Sequence, residues 1–297
     1  MNRQQTNGYL CALGASLALA GSFVFSKSVL IQLSMLQFGL FWFSMGIVWN
    51  GIWFMLHKDY REVKGHAGRK TLVAVVIAVL EGAATGLFYL SIKAMENPAV
   101  VSFIGNLGPV FVTLMGILIL RERFQNLQLI GIVVTILGVF VINYREGGFA
   151  GFMDPGSSYV IGAAFLFALA TIVGRRWNQL LVPGYMSLIR SFLLALVMAL
   201  LFVRYGTMVP VSLNIWKDLA LGSLLETLIV IVLAYQALKL IEATKTSLII
   251  SSKGVWTLLL AWWFLGVFPT GTQLAGGLLT LLGVWLITWN RRSIPPG

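Results

Sequence analysis

The sequence predicts an all-α membrane protein, with ten transmembrane helices in two inverted five-helix repeats. Three observations carry that expectation. Of its 297 residues, 58% are hydrophobic and only 10% are charged, whereas soluble domains carry about 25% charged residues. The mean hydropathy is +0.88, and the apolar runs are about 20 residues long, enough for a helix to cross ~30 Å of hydrocarbon. Finally, the stretch from Tyr89 to Tyr144 occurs twice. Lys93, Glu96, Gly108, Gln128, Gly131, Thr135 and Gly138 return as Lys239, Glu242, Gly254, Gln273, Gly276, Thr280 and Gly283. The offset is 146 residues from Lys93 to Lys239 and 145 from Gln128 to Gln273, so one slip aligns both copies. A period of half the chain marks one duplication, not a solenoid. It divides the chain into residues 1–150 and 151–297.

The apolar runs place the spans at roughly 8–28, 36–56, 71–92, 98–119 and 127–144 in the first half. In the second half they fall at roughly 158–175, 184–203, 218–238, 246–266 and 271–290. No barrel-type alternation interrupts them, so each is a helix. The first run is long and leads into further spans, so it reads as a span and not as a cleaved signal. Between spans 2 and 3, the polar loop from His57 to Lys70 reads as a basic anchor. From Arg145 to Ser158, a segment rich in Gly links the halves. Trp177, Trp216, Trp289, Tyr144 and Tyr205 fall at span edges, where aromatic anchors sit.

Counting Lys and Arg sets the orientation. With a cytoplasmic N-terminus, fourteen of the 21 fall in inside segments and five in outside ones, Lys27 and Lys93 among the five. Two lie within spans. Both termini are therefore expected in the cytoplasm, with the chain in the inner (plasma) membrane. Five spans per copy is an odd number, so the second copy enters the bilayer upside down. Inverted repeats build transporters whose central site opens to either side.

The net charge of +11 fits basic loops beside anionic headgroups and not nucleic-acid binding. The single cysteine, Cys11, excludes a disulfide within the chain. His57 and His66 share one loop without a third ligand, so neither metal nor cofactor is expected. There is no GxxxxGK[ST] loop for ATP. No His or Asp is expected at membrane depth, which argues against an intramembrane enzyme. The expected partners are a small-molecule substrate and the lipid bilayer. Glycine pairs on spans 3, 5 and 10 (Gly82 and Gly86, Gly131 and Gly138, Gly276 and Gly283) allow close helix approach. They would serve packing within a monomer, or a homodimer face on spans 5 and 10.

The segment from Asn97 to Ile142 resembles the EamA-type repeat of the drug/metabolite transporter superfamily. Pro109, Gly116, Glu122, Gln128 and Gly131 fit that pattern, as do Arg190 on span 7, the length and the ten spans. The second copy departs from it, with LGVFPTGTQ (Leu265 to Gln273) where the pattern has a Glu. The resemblance implies secondary transport. It leaves the substrate open among amino acids, quaternary ammonium compounds, nucleotide sugars and other small metabolites.

Four ionisable residues sit well inside spans: Glu81, Arg190, Glu226 and Lys253. A charge at the bilayer centre costs about 2.5–3.5 kcal/mol or more, so such residues face a bundle interior or a wet cavity. Glu81 is ~15 Å deep at 1.5 Å rise per residue, beside the small Ala74, Ala78, Ala84 and Thr85. Glu226 falls one position from its counterpart in the second copy. They could exchange a proton against a substrate, since burial and a neighbouring carboxylate favour the protonated acid. Equally, each could pair with Arg190 or Lys253. Ser102, Asn106 and Thr113 share a face of span 4 with Pro109, a candidate cavity wall. Gly108, Pro109 and Gly254 are candidate points of helix breakage. Tyr89 and Trp256 are candidate aromatic contacts. Two acids and two bases sum to zero, which suits a zwitterion such as an amino acid. The alternative is efflux of lipophilic or quaternary cations coupled to protons through the glutamates.

Overall fold

A computed structural model describes residues 3–57, 67–120, 126–144, 154–177, 183–241, 246 and 249–288. These form ten helical spans and no strand. Glu122, Trp289, most of the polar loop after His57 and most of the linker between the halves lie outside the described residues. In the first half the spans are Arg3–Gln32, Met35–Leu56, Ala67–Ala94, the pair Pro98–Ile104 and Leu107–Leu120, and Asn126–Asn143. The second half has Pro155–Arg176, Pro183–Tyr205, then Leu213–Leu224 continuing through Leu225–Ile229 into Val230–Leu240. It closes with Ile249–Leu265 and Gly271–Thr288. Eight of these helices are long and apolar enough to cross a membrane. Many of their large side chains point outward, among them Leu118 at 78% and Val203 at 88% exposure. A soluble protein does not carry apolar surface on that scale.

Local signals set the ends. Ser34 caps span 2 by accepting from the Gln37 amide at 3.2 Å, and Asn97 caps span 4 through the Ala99 amide at 2.9 Å. Pro98 and Pro155 stand in first turns, where a missing N–H costs nothing. Gly266 ends span 9 in the left-handed region, φ 67°, a conformation that glycine adopts without strain. Thr270 and Gln273 then open span 10 with a reciprocal box: the Thr270 amide donates to Gln273 Oε1 at 3.0 Å, and the Gln273 amide to Thr270 Oγ1 at 3.3 Å. Capping thus orders the loop that lacks the pattern's Glu.

Span 1 runs past its expected end, and this corrects the place given to Lys27. That residue lies inside the helix, is 7% exposed, and donates to the carbonyls of Ile92 and Met95 at the end of span 3. Lys93 answers by donating to Leu33 O at 3.4 Å. Each ammonium satisfies carbonyls at the other helix's C-terminal end, where the helix dipole favours a cation. Asp218 likewise belongs to the helix of span 8, where it accepts from Ser28 at 2.6 Å.

The halves pack with matched contacts. Span 1 lies on span 8, and span 6 on span 3. Span 2 meets span 7, and span 5 meets span 10. Spans 1 and 9 touch, as do 6 and 4. Each contact keeps its sense when span n takes the role of span n+5. The core between them holds Phe38, Trp42, Phe43, Tyr89 and Phe103.

Spans 5 and 10 approach with almost no side chain between them. A Cβ on Gly131 would sit 2.7 Å from the Gly283 carbonyl oxygen; one on Gly276 would sit 2.6 Å from the Gly138 carbonyl oxygen. Asn106 and Gln128 reinforce this side, donating to Thr280 Oγ1 at 3.2 Å and Ile287 O at 3.3 Å. The glycine stripe is therefore occupied within one chain, which removes it as a dimer face.

Candidate functional site

Three helix irregularities surround the middle of the bundle. Span 4 breaks at Gly105–Asn106, four residues before Pro109. A proline lacks the amide that would bond the carbonyl four residues back, and its ring crowds that carbonyl. The Gly105 carbonyl accepts instead from Gly108 at 3.0 Å. Span 9 breaks at Ser252, the position equivalent to Asn106, with no proline at all. Here the Ser252 hydroxyl donates to Ile249 O at 2.6 Å and meets Ser16 Oγ at 3.1 Å. Lys253 is the first residue of the helix that follows. Gly108 and Gly254 lie just after these breaks. Gly254 is a point of close approach, where an added Cβ would meet the Phe103 ring at 2.6 Å.

The third irregularity is a wide turn in span 8, Leu225–Ile229, closed by i→i+5 bonding. Such turns insert one residue into a helix and gather at functional sites. Glu226 lies within this turn, and the insertion accounts for its one-position mismatch with Glu81: the offset is 145 there and 146 beyond it, from Lys93 to Lys239.

Glu226 is fixed by three donors. Arg190 Nη2 donates to Oε1 at 3.2 Å, while Trp42 Nε1 and Tyr89 OH donate to Oε2 at 2.8 and 2.9 Å. Arg190 also stands 4.0 Å from Glu81, a Coulombic contact too long for a hydrogen bond. The side chains of Arg190 and Glu226 are 11% and 13% exposed, that of Glu81 35%. One guanidinium thus serves two carboxylates unequally. Glu226 is a fixed anchor, and Glu81 is loosely held.

A cavity of about 250 Å³ opens beside this cluster, equal to about eight water volumes. Arg190, Glu226, Tyr89, Thr85, Gly105 and Lys253 line it, with Phe23, Phe88 and Phe167 among its apolar walls. Phe23 and Phe88 pack with their rings tilted and their centres 4.6 Å apart, and Lys253 Nζ lies 5.9 Å from the Phe23 ring centre. A second cavity, about 180 Å³, is lined by apolar side chains such as Leu107, Phe111 and Phe140, and has nothing to hold a polar solute. Among the described residues no group of three or more His, Cys, Asp or Glu could hold a metal.

Tyr89, Arg190, Glu226 and Lys253 thus meet at one cavity, while Glu81 is outside its lining and reaches it only through Arg190, 4.0 Å away. The span 4 stripe stands apart. Asn106 bonds span 10, Thr113 donates to Pro109 O at 2.8 Å, and Ser102 and Trp256 do not line the cavity. Trp42 is the member of the Glu226 cluster that sequence reasoning missed. An indole between Leu, Phe and Phe on an apolar span reads as packing, and only the buried carboxylate facing it gives it a role. Thr85 was visible only as a small neighbour of Glu81.

An all-helical bundle of ten spans, with a charged cavity where broken helices of both halves meet, defines a membrane protein of the transporter class. The chain belongs to the EamA-like transporter family, whose model matches residues 6–144 and again 154–289. It is similar to an uncharacterized transporter of Methanothermobacter thermautotrophicus, 26% identical over 228 residues, 74% of this chain and 65% of that protein. The chain thus matches just under two thirds of that relative's length. It is also similar to an uncharacterized transporter of Synechocystis, 26% identical across 78% of this chain and 70% of that one. The uncharacterized transporter YxxF of Bacillus subtilis is 23% identical, covering 72% and 71%. One crystal structure superposes with a TM-score of 0.68 at 14% identity, across 98% of this chain and 99% of the other. That likeness concerns the fold alone.

Proposed function

We propose that this protein is a secondary transporter of small polar or zwitterionic metabolites, amino acids first among them. It works by alternating access and exports its solute across the inner (plasma) membrane. The observation that carries this reading is the cavity joining Arg190, Glu226 and Lys253 at the helix breaks of spans 4 and 9. In inverted-repeat transporters, discontinuous helices frame the substrate site. The odd number of crossings per half sets the two halves in opposite orientations. The excess of Lys and Arg on one side puts both termini in the cytoplasm.

Glu81 is the proton-exchanging group. Both oxygens of Glu226 are occupied, and a carboxylate held by three donors serves as a fixed charge. Among the described residues Glu81 keeps only its distant contact with Arg190, so a small movement of either side chain changes its environment. The occupied Glu226 also counts against cation efflux, since a cation would have to displace Arg190.

The test is uptake into proteoliposomes of labelled amino acids and of a quaternary ammonium compound, with and without a pH gradient. The wild type and Glu81→Gln are compared. Amino-acid movement that follows the gradient and fails in the variant is expected. Movement indifferent to both makes Glu81 structural and the protein a facilitator. Transport of the ammonium compound alone overturns the substrate assignment.

A further inference from the structure

The hydrogen-bonding capacity left over in the cavity is one-sided. Glu226, an acceptor, is satisfied by Arg190, Trp42 and Tyr89. The unsatisfied groups can all donate. Thr85 Oγ1 and Arg190 Nε are buried without a partner, and both residues line the cavity. Thr85 is only 2% exposed. Lys253 lines the same space, and among the described residues no carboxylate pairs with it.

The position of Lys253 sharpens the point. It begins the helix Lys253–Leu265, whose N-cap Ser252 makes no side-chain capping bond and whose first turn holds no acid. A helix N-terminus carries a partial positive charge and disfavours a cation. Helix start and ammonium are therefore alike in sign, and one anion beside them relieves both. Of the remaining walls, Ser22 donates its hydroxyl to Leu19 O at 2.8 Å, and Phe23, Phe88, Phe167 and Leu19 are apolar.

We infer that the Lys253 end of the cavity is a carboxylate subsite. Its ligand is a monocarboxylate with an apolar or aromatic body, recognised by Lys253 and Thr85, and an amino group on that ligand is dispensable. This rests on the transport reading of the cavity and narrows its substrate class.

The experiment measures binding, by thermal stabilisation of the purified full chain in detergent. Three probes of one shape are compared: 3-phenylpropionate, phenylalanine and phenethylamine. The two carboxylates stabilise the wild type and the amine does not. Lys253→Met weakens carboxylate binding by about tenfold to a hundredfold, the range for loss of a charge-assisted bond, and Thr85→Val weakens it less. Lys253→Arg, which keeps the charge, retains binding and separates loss of the subsite from loss of the fold. Stabilisation by the amine alone, by none of the probes, or equally in Lys253→Met overturns the inference. Binding needs no gradient or second compartment. A chain that binds carboxylates but carries nothing across a bilayer fails the transport reading and keeps the subsite. One that carries amino acids unchanged in Lys253→Met fails the subsite alone.

Discussion

Arg190 is the residue on which the charge balance turns. It lies 3.2 Å from one carboxylate and 4.0 Å from a second. Removing one partner of a buried pair costs about 3–5 kcal/mol, because the other charge is stranded. Arg190→Met is therefore expected to lose about 3–5 kcal/mol of stability in denaturation experiments in micelles. Adding Glu226→Gln should recover most of that loss, since a glutamine oxygen still accepts from Trp42 and Tyr89 without carrying charge. Failure of the double variant to recover would make the arginine's packing, not its charge, the source of the loss. The four charges were legible in the sequence because a charge in an apolar run has no bland explanation at that depth. Of their neutral partners Tyr89 was, as a candidate aromatic contact, and the others were not. Trp42, Thr85 and Phe23 resemble any packing residue until a folded chain sets them beside a charge.

At the scale of elements, the breaks in spans 4 and 9 are equivalent in position but differ in cause. Pro109 enforces the first, and serine side-chain bonds shape the second. Pro109→Ala restores the amide that can bond the Gly105 carbonyl, which continues the helix through Gly105–Asn106. Stability is expected to rise by up to about 3 kcal/mol, the helix-interior penalty of proline, while the transport rate falls. A variant as fast as the wild type would show that the break plays no part in movement. The proline and its neighbouring glycine could be read from sequence. The break in span 9 was expected at Gly254, two residues on, but its serine bonding was not readable, because it depends on Ser16 of span 1 meeting Ser252, a contact across 236 residues. The end of span 1 was misread for a related reason. Lys27 was counted with the outside segments although the expected span reached residue 28, and it stays buried within the helix because the end of span 3 offers it carbonyls.

For the whole molecule, the duplication and the apolar run lengths foretold the number of spans, and hydropathy needs no tertiary information for that. Which spans would touch was not readable, since both copies carry small residues on several faces. The glycines of spans 5 and 10 prove to be an internal joint. Gly138→Val places side-chain atoms where the backbone of Thr280 already stands, 2.7 Å from the added Cβ. Overpacking costs about 1–3 kcal/mol where neighbours can yield, and here the neighbour is backbone. A loss of at least about 3 kcal/mol is expected, read as a lowered melting temperature or lost accumulation in the membrane. The same substitution at Gly86, where nothing lies within 4 Å of an added Cβ, is the matched control.

A joint made of main chain has no rotamers to exchange. Side chains elsewhere in the bundle can repack, but two backbones in direct contact can only turn about each other or separate. On the transport reading, spans 5 and 10 are expected to keep this contact throughout the cycle. They form a seam of main chain against main chain, and none of the residues lining the charged cavity comes from either helix.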